Sequence, residues 1–186
     1  MTYRLALASA TICLLTACSL RSSLPIYGRV PDFELTRETG QHFNRTDIAG
    51  SVWIANFIFT TCTGPCPRMT SQMKQIQDAL YDRDGITLVS LTIDPEHDTP
   101  AVLTAYGRRF KADPAHWLFL TGDRSELQKL SKDTFFLGDI GPPFEHSTRF
   151  VLIDKQERIR GFYDSSDQEA IHDLVRHAEE LRHEKM

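Results

Sequence analysis

Val52-Trp53-Ile54-Ala55-Asn56-Phe57-Ile58-Phe59-Thr60-Thr61-Cys62-Thr63-Gly64-Pro65-Cys66-Pro67 is the stretch on which the fold turns. Its first eight residues are nearly all apolar, so both faces need cover, as in a central strand of an α/β sheet. Beyond it, Met69, Met73, Ile76 and Leu80 recur at spacings of four, three and four, one face of an amphipathic helix. Pro67 suits that helix's first turn. A strand, a tight turn and a helix N-terminus form a place where the helix dipole and unpaired amides stabilise a thiolate. Cys62 and Cys66 are about one helical turn apart, so both sulfurs can face one point.

Working outward, residues 31–35 alternate polar and apolar, as a half-buried strand does, and 38–41 are turn residues. A small hairpin is therefore expected ahead of the main sheet. Downstream, Asp84-Gly85 turns the chain into a second buried-type strand over 86–93. Thr99-Pro100 offers a cap and a first-turn proline for a helix carrying Val102, Leu103, Tyr106 and Phe110. A short strand over 117–120 follows, then a short helix through Leu127 and Leu130 with Asp123 and Glu126 spaced as a capping box. Residues 147–153 and 158–163 read as paired strands, and Ser166 with Glu169 caps a last helix. The order is β-α-β-α-β-α-β-β-α after an N-terminal β-hairpin. It predicts an α/β, thioredoxin-like fold with a central mixed sheet flanked by helices.

The first residues predict a destination. Arg4 is the only charged residue before Arg21, and an apolar run over 5–17 is too short for a permanent membrane span. It ends in Leu15-Thr16-Ala17-Cys18, the pattern of a bacterial lipobox. The expected domains are a lipoprotein signal peptide over 1–17, a lipidated N-terminus and tether over 18–30 with lipid on Cys18, and one globular domain over 31–186. The chain is then exported and lipid-anchored to a bacterial membrane, facing the periplasm or the cell exterior. A net charge of −4 with no basic stripe argues against nucleic acid as a partner.

Cys13 falls in the discarded segment and Cys18 carries lipid, so Cys62 and Cys66 remain as thiols where disulfides can persist. They fit a disulfide bond, a redox couple or half a metal site. Thiolates are soft donors suited to Cu(I) or zinc, but two do not close a zinc site. Histidine is the expected source of a third ligand. His42, His116, His172, His177 and His183 read as exposed or structural. His97, in Asp94-Pro95-Glu96-His97-Asp98-Thr99-Pro100 at the end of a central strand, is a secondary candidate. His146 follows a Gly- and Pro-containing loop and enters the strand that faces the dithiol turn in a thioredoxin-like sheet. Met69 and Met73 have thioether sulfurs, yet share the spacing of Ile76 and Leu80 and read as core.

Cys62-Thr63-Gly64-Pro65-Cys66-Pro67, the 94–100 motif and His146-Ser147-Thr148 together resemble the Sco/SenC family. The resemblance covers most of the chain from about Pro31 to the last helix. It implies a thioredoxin-like, membrane-anchored copper protein that assists assembly of the dinuclear copper centre of cytochrome c oxidase. The implied copper ligands are Cys62, Cys66 and His146. Thr63 departs from the proline many relatives carry after the first cysteine, and lipid replaces the family's common transmembrane helix. The implied partners are the copper-accepting oxidase subunit, a thiol reductant and the membrane. The resemblance implies a metallochaperone rather than an enzyme. The alternative is a thiol-disulfide oxidoreductase that keeps an acceptor's cysteines reduced, although oxidoreductases of that fold usually have a two-residue spacer and a proline where His146 stands. A peroxiredoxin-like peroxidase fits less well, because the proline and threonine expected before its cysteine are absent in that spacing.

Overall fold

The computed structural model describes residues 22–140 and 147–185. β4 (Val52–Ile58) forms as the apolar run requires, and all seven of its residues are buried. It pairs in parallel with β5 (Ile86–Thr92), and β5 with β6 (Trp117–Thr121). On its other side β4 pairs antiparallel with β7 (Arg149–Ile153), which forms a hairpin with β8 (Arg158–Asp164). The expected N-terminal hairpin is β2 (Glu34–Arg37) with β3 (His42–Asn44), and β2 joins the sheet beside β6. With β1 (Gly28–Arg29) at the far edge, the order is β1-β8-β7-β4-β5-β6-β2-β3. The sheet is mixed and flanked by four helices, the α/β, thioredoxin-like arrangement expected.

The period of two divides β4 between two cores. Val52, Ile54 and Ile58 pack with Met69, Met73, Ile76, Leu103, Leu174 and Leu181 from α1 (Pro65–Ala79), α2 (Pro100–Arg109) and α4 (Gln168–His183). Trp53, Ala55 and Phe57 face the opposite cluster, with Leu127, Leu130 and Phe135. Asn56 interrupts the apolar run. Its side-chain oxygen accepts from the Ser90 hydroxyl at 2.7 Å, and Ser90 in turn accepts from the Trp117 indole N–H at 3.0 Å. One polar chain thus crosses the three parallel strands beneath the helices.

Four local features differ from the sequence reading. The last helix is capped by Asp167, which accepts from the Glu169 and Ala170 amides, because the Ser166 hydroxyl is drawn back to Asp164. α3 (Arg124–Gln128) has Asp123 as its cap, as expected, but runs straight into a π-helical turn, Lys129–Thr134. That turn closes with the Phe135 N–H donating to Leu130 O at 2.9 Å and sets the Phe135 ring edge-on to Trp53 and Phe57. A 3₁₀ turn (Arg45–Ile48), capped reciprocally by Asn44 and Asp47, leads into β4. Finally, the stretch expected as tether up to residue 30 is docked on the sheet from Leu24 onward. The Tyr27 N–H donates to Ile159 O, and the buried Arg160 guanidinium donates to Leu24 O and Pro25 O. Residues 1–17, expected as a signal peptide, and Cys18, expected to carry lipid, lie outside the described residues.

Candidate metal centre

The turn between β4 and α1 is short because its hydrogen bonds leave little slack. The Cys62 N–H donates to Phe59 O at 3.2 Å, Gly64 takes the N-cap place, and Pro65 is the first helical residue. Pro65 and Pro67 have no amide hydrogen, and no side chain caps this end. The Cys66 amide remains and lies against its own sulfur. The structure brings the two predicted thiols together: they are hydrogen-bonded to one another and not joined as a disulfide.

The two sulfurs differ in setting. Cys62 is half-buried at the surface, while Cys66 is 0% exposed and packs in the core with Met69 and Met73. Burial pushes the Cys66 thiol well above its ordinary range, and the Cys62 sulfur beside it adds to the rise. The Phe59 backbone and the Cys66 amide work the other way. Without a cation to stabilise the thiolate, Cys66 therefore holds its proton at neutral pH.

Two polar networks hold the pair. Behind it, the Thr70 hydroxyl donates to Cys66 O at 2.8 Å, and Tyr106 on α2 donates to Thr70 at 2.8 Å. Burial pushes the Tyr106 phenol up to about 12, so it stays a donor. Beside it, the Asp98 carboxylate is 0% exposed and accepts from the Thr60 amide at 3.1 Å, the Thr60 hydroxyl at 2.5 Å and the Thr92 hydroxyl at 2.6 Å. It also meets His97 Nδ1 at 3.1 Å. Asp98 was not among the residues singled out from the sequence. The available signal was a carboxylate closely following Thr92 at the end of an otherwise apolar strand, beside the cysteine turn in a parallel sheet.

His146 lies outside the described residues. The strand that follows it, β7, runs antiparallel to β4, so β7 begins at the end of the sheet where the cysteine turn sits. His97 is placed at that same end. The other histidines sit in local contacts away from it: His42 beside Glu34, His116 on Asp113, His177 on Tyr163 and His183 beside Glu179, with His172 exposed. Met69 and Met73 are core residues, as their spacing indicated. A cleft of about 230 Å³ between α2 and β6, lined by Leu103, Gly107, Trp117 and Phe119 with Glu38, contains none of these candidates.

Among the described residues no three His, Cys, Asp or Glu side chains form a ready metal cluster. Two sulfurs in contact, one reachable from solvent, are the donor set at this point. Such a set fits a soft cation that tolerates low coordination, and it lacks the hard oxygens that magnesium or calcium needs.

The sequence model of the SCO1/SenC family matches residues 27–180, the span from β1 into α4. A SCO1 protein homolog of Bacillus subtilis is 27% identical over 157 residues, covering 81% of each chain. A protein of Stutzerimonas stutzeri named for copper binding is 33% identical over 152 residues, covering 74% of this chain and 70% of its own. The crystal structure of a SCO1/SenC family lipoprotein from Bacillus anthracis superposes with a TM-score of 0.77 at 31% identity, covering 83% of this chain and 95% of that one.

Proposed function

The chain belongs to the SCO1/SenC family, and from that premise we propose that it is a membrane-tethered copper-binding protein that delivers copper to, or assists assembly of, the dinuclear copper centre of cytochrome c oxidase. Copper is the cargo, held by Cys62, Cys66 and His146. The observation that carries this reading is the paired sulfurs at the start of α1, one buried and one reachable. Two thiolates and a neutral imidazole suit three-coordinate Cu(I). The reachable Cys62 gives an acceptor's ligand a place to displace first, so the metal can pass on by ligand exchange. The 33%-identical Stutzerimonas relative named for copper binding supports the cargo.

The anchor belongs to the same proposal. Lipid on Cys18 after removal of 1–17 would hold the protein at a bacterial membrane, facing the periplasm or the exterior. The lipoprotein relative from Bacillus anthracis supports this. No helix among the described residues is long and apolar enough to cross a membrane.

The same dithiol supports a second reading, a thiol-disulfide oxidoreductase that keeps an acceptor's cysteines reduced. A reachable Cys62 backed by a buried Cys66 is the usual division between an attacking and a resolving thiol. Cu(I) titration of the reduced protein, with His146→Ala beside it, separates the two. Tight binding by wild type that weakens in the variant, while disulfide exchange survives, is the expected result. If wild type binds copper no better than the variant and both exchange disulfides equally, the copper reading falls and the redox reading stands.

A further inference from the structure

The segment that leads into β1 carries an apolar surface that the domain itself leaves uncovered. Pro25, Ile26 and Tyr27 are consecutive and exposed, Ile26 to 57% and Tyr27 to 54%. Their backbone is fixed, because the Arg160 guanidinium holds Leu24 O and Pro25 O while the Tyr27 N–H donates to Ile159 O at 2.9 Å. The Tyr27 ring stands edge-on to half-buried Phe162 with centroids 5.2 Å apart, which extends the apolar surface onto β8. Isolated apolar side chains are ordinary on a protein surface, but a consecutive run held outward is not. The flanking charges that reach solvent freely are cationic. Arg29 is 63% exposed and Lys185 is exposed, whereas Asp154, Glu157 and Glu184 are buried and engaged by Arg45, Arg158 and Arg160. Asp32, an exposed acid nearby, is paired with Arg45.

We propose that Pro25, Ile26 and Tyr27 rest on the bilayer, with Arg29 and Lys185 at the headgroups of anionic lipid. This rests on the lipid-anchor reading above. Six residues, Cys18 to Ser23, then join the anchor to Leu24, a reach of about 20 Å at full stretch. So short a connection keeps this edge of the sheet at the membrane surface. Tyrosine and aliphatic side chains with cations beside them suit that interface, where the ring lies at headgroup level and the cation meets anionic phosphate. β1 pairs with the start of β8, whereas the cysteine turn lies at the end where β8 finishes opposite Arg149. Contact along this edge therefore leaves Cys62 clear of the bilayer and open to an acceptor.

The test uses the full chain, exported with its own leader and reconstituted into vesicles of phosphatidylethanolamine and phosphatidylglycerol. Trp53 and Trp117 are 2% and 1% exposed, so Ile26→Trp and Tyr27→Trp each add the one tryptophan that a quencher in the lipid can reach. Phosphatidylcholine brominated on its acyl chains is that quencher. Tyr81→Trp is the control, since Tyr81 is 62% exposed but sits by His116 ahead of β6, with β4 and β5 between it and the β1 edge. The expected result is quenching and blue-shifted emission in Ile26→Trp and Tyr27→Trp, from a depth of roughly 5–10 Å, and no quenching in the parent or in Tyr81→Trp. Vesicle-bound protein in which either substitution at the patch stays unquenched overturns the proposal, as does equal quenching in Tyr81→Trp. Protein that does not float with the vesicles removes the anchor reading, and this proposal with it.

Discussion

Thr60 and Asp98 are joined twice, through the Thr60 amide at 3.1 Å and the Thr60 hydroxyl at 2.5 Å, both donating to one fully buried carboxylate. This couples the turn that carries Cys62 to the segment between β5 and α2. Asp98→Ala leaves the donors of Thr60 and Thr92 without their acceptor in a buried setting, at a cost of about 2–4 kcal/mol. Urea denaturation should show this as a lower midpoint with an unchanged slope. Copper affinity should fall with it, because the turn loses its fixed position. An Asp98→Ala protein as stable as wild type would mean that the carboxylate does not hold the turn.

The difference in burial between the two thiols makes their reactivity unequal. In a version with Cys13 and Cys18 replaced by serine, a thiol reagent should modify Cys62 rapidly under native conditions and Cys66 only slowly. In urea the two rates should converge. Cys62→Ser should remove the fast phase, and Cys66→Ser should leave it. Equal native rates would contradict the enclosure of Cys66 within the helical core.

The parts of this fold that sequence revealed are those governed by local repetition and local chemistry. The spacing of Met69, Met73, Ile76 and Leu80 and the continuous apolar run of β4 reflect which faces must be covered. Thr99-Pro100 and Asp123 announce helix starts because capping involves only a few neighbouring residues. What stayed hidden depends on partners distant in the chain. β1 has two residues and no period of its own, and its neighbours Leu24 and Pro25 are held by Arg160. Ser166 lost the cap to Asp167 because Asp164, just upstream, offered its hydroxyl a nearer acceptor. Of the candidate site, the cysteine pair was legible from its spacing. The Asp98 network was not, since it joins the ends of two strands that are adjacent only once the parallel sheet forms.

Arg160 is 2% exposed along its side chain and donates to Asp154, Glu184, Leu24 O and Pro25 O. It thereby fixes both ends of the domain, the incoming N-terminal segment and the exit of α4, to β8. Removing one partner of a buried ion pair costs about 3–5 kcal/mol, so Arg160→Ala should be among the most destabilising single changes. Arg160→Lys should recover only part of the loss, because an ammonium cannot reproduce the planar fork that serves carbonyls and carboxylates at once. Limited proteolysis provides a separate check. In Arg160→Ala the residues around Leu24 should be cut earlier than the rest, and uniform cutting would argue against the clasp.

His177 on α4 makes stability depend on pH in a definable direction. Its Nε2 accepts from Arg176 at 2.9 Å, which leaves the proton on Nδ1 to meet the Tyr163 hydroxyl at 2.7 Å. Tyr163 crosses over Gly161, where a Cβ would come within 2.6 Å of the phenol oxygen, so the contact is closely confined. Burial lowers the His177 pKa below its ordinary 6.5, and the Arg176 cation lowers it further, while Asp173 and Glu180 oppose. A histidine lowered on folding takes up its proton more readily when unfolded. Its contribution is therefore complete above about pH 6.5 and is lost as pH falls through the lower folded value. Because carboxylates elsewhere also weaken the fold in acid, the measurement is a difference. Stability of wild type minus that of His177→Gln, followed by urea unfolding from pH 7.5 to 4.5, should decline as pH falls. A difference that stays flat, or grows toward acid, would show that His177 is not kept neutral by its burial and Arg176.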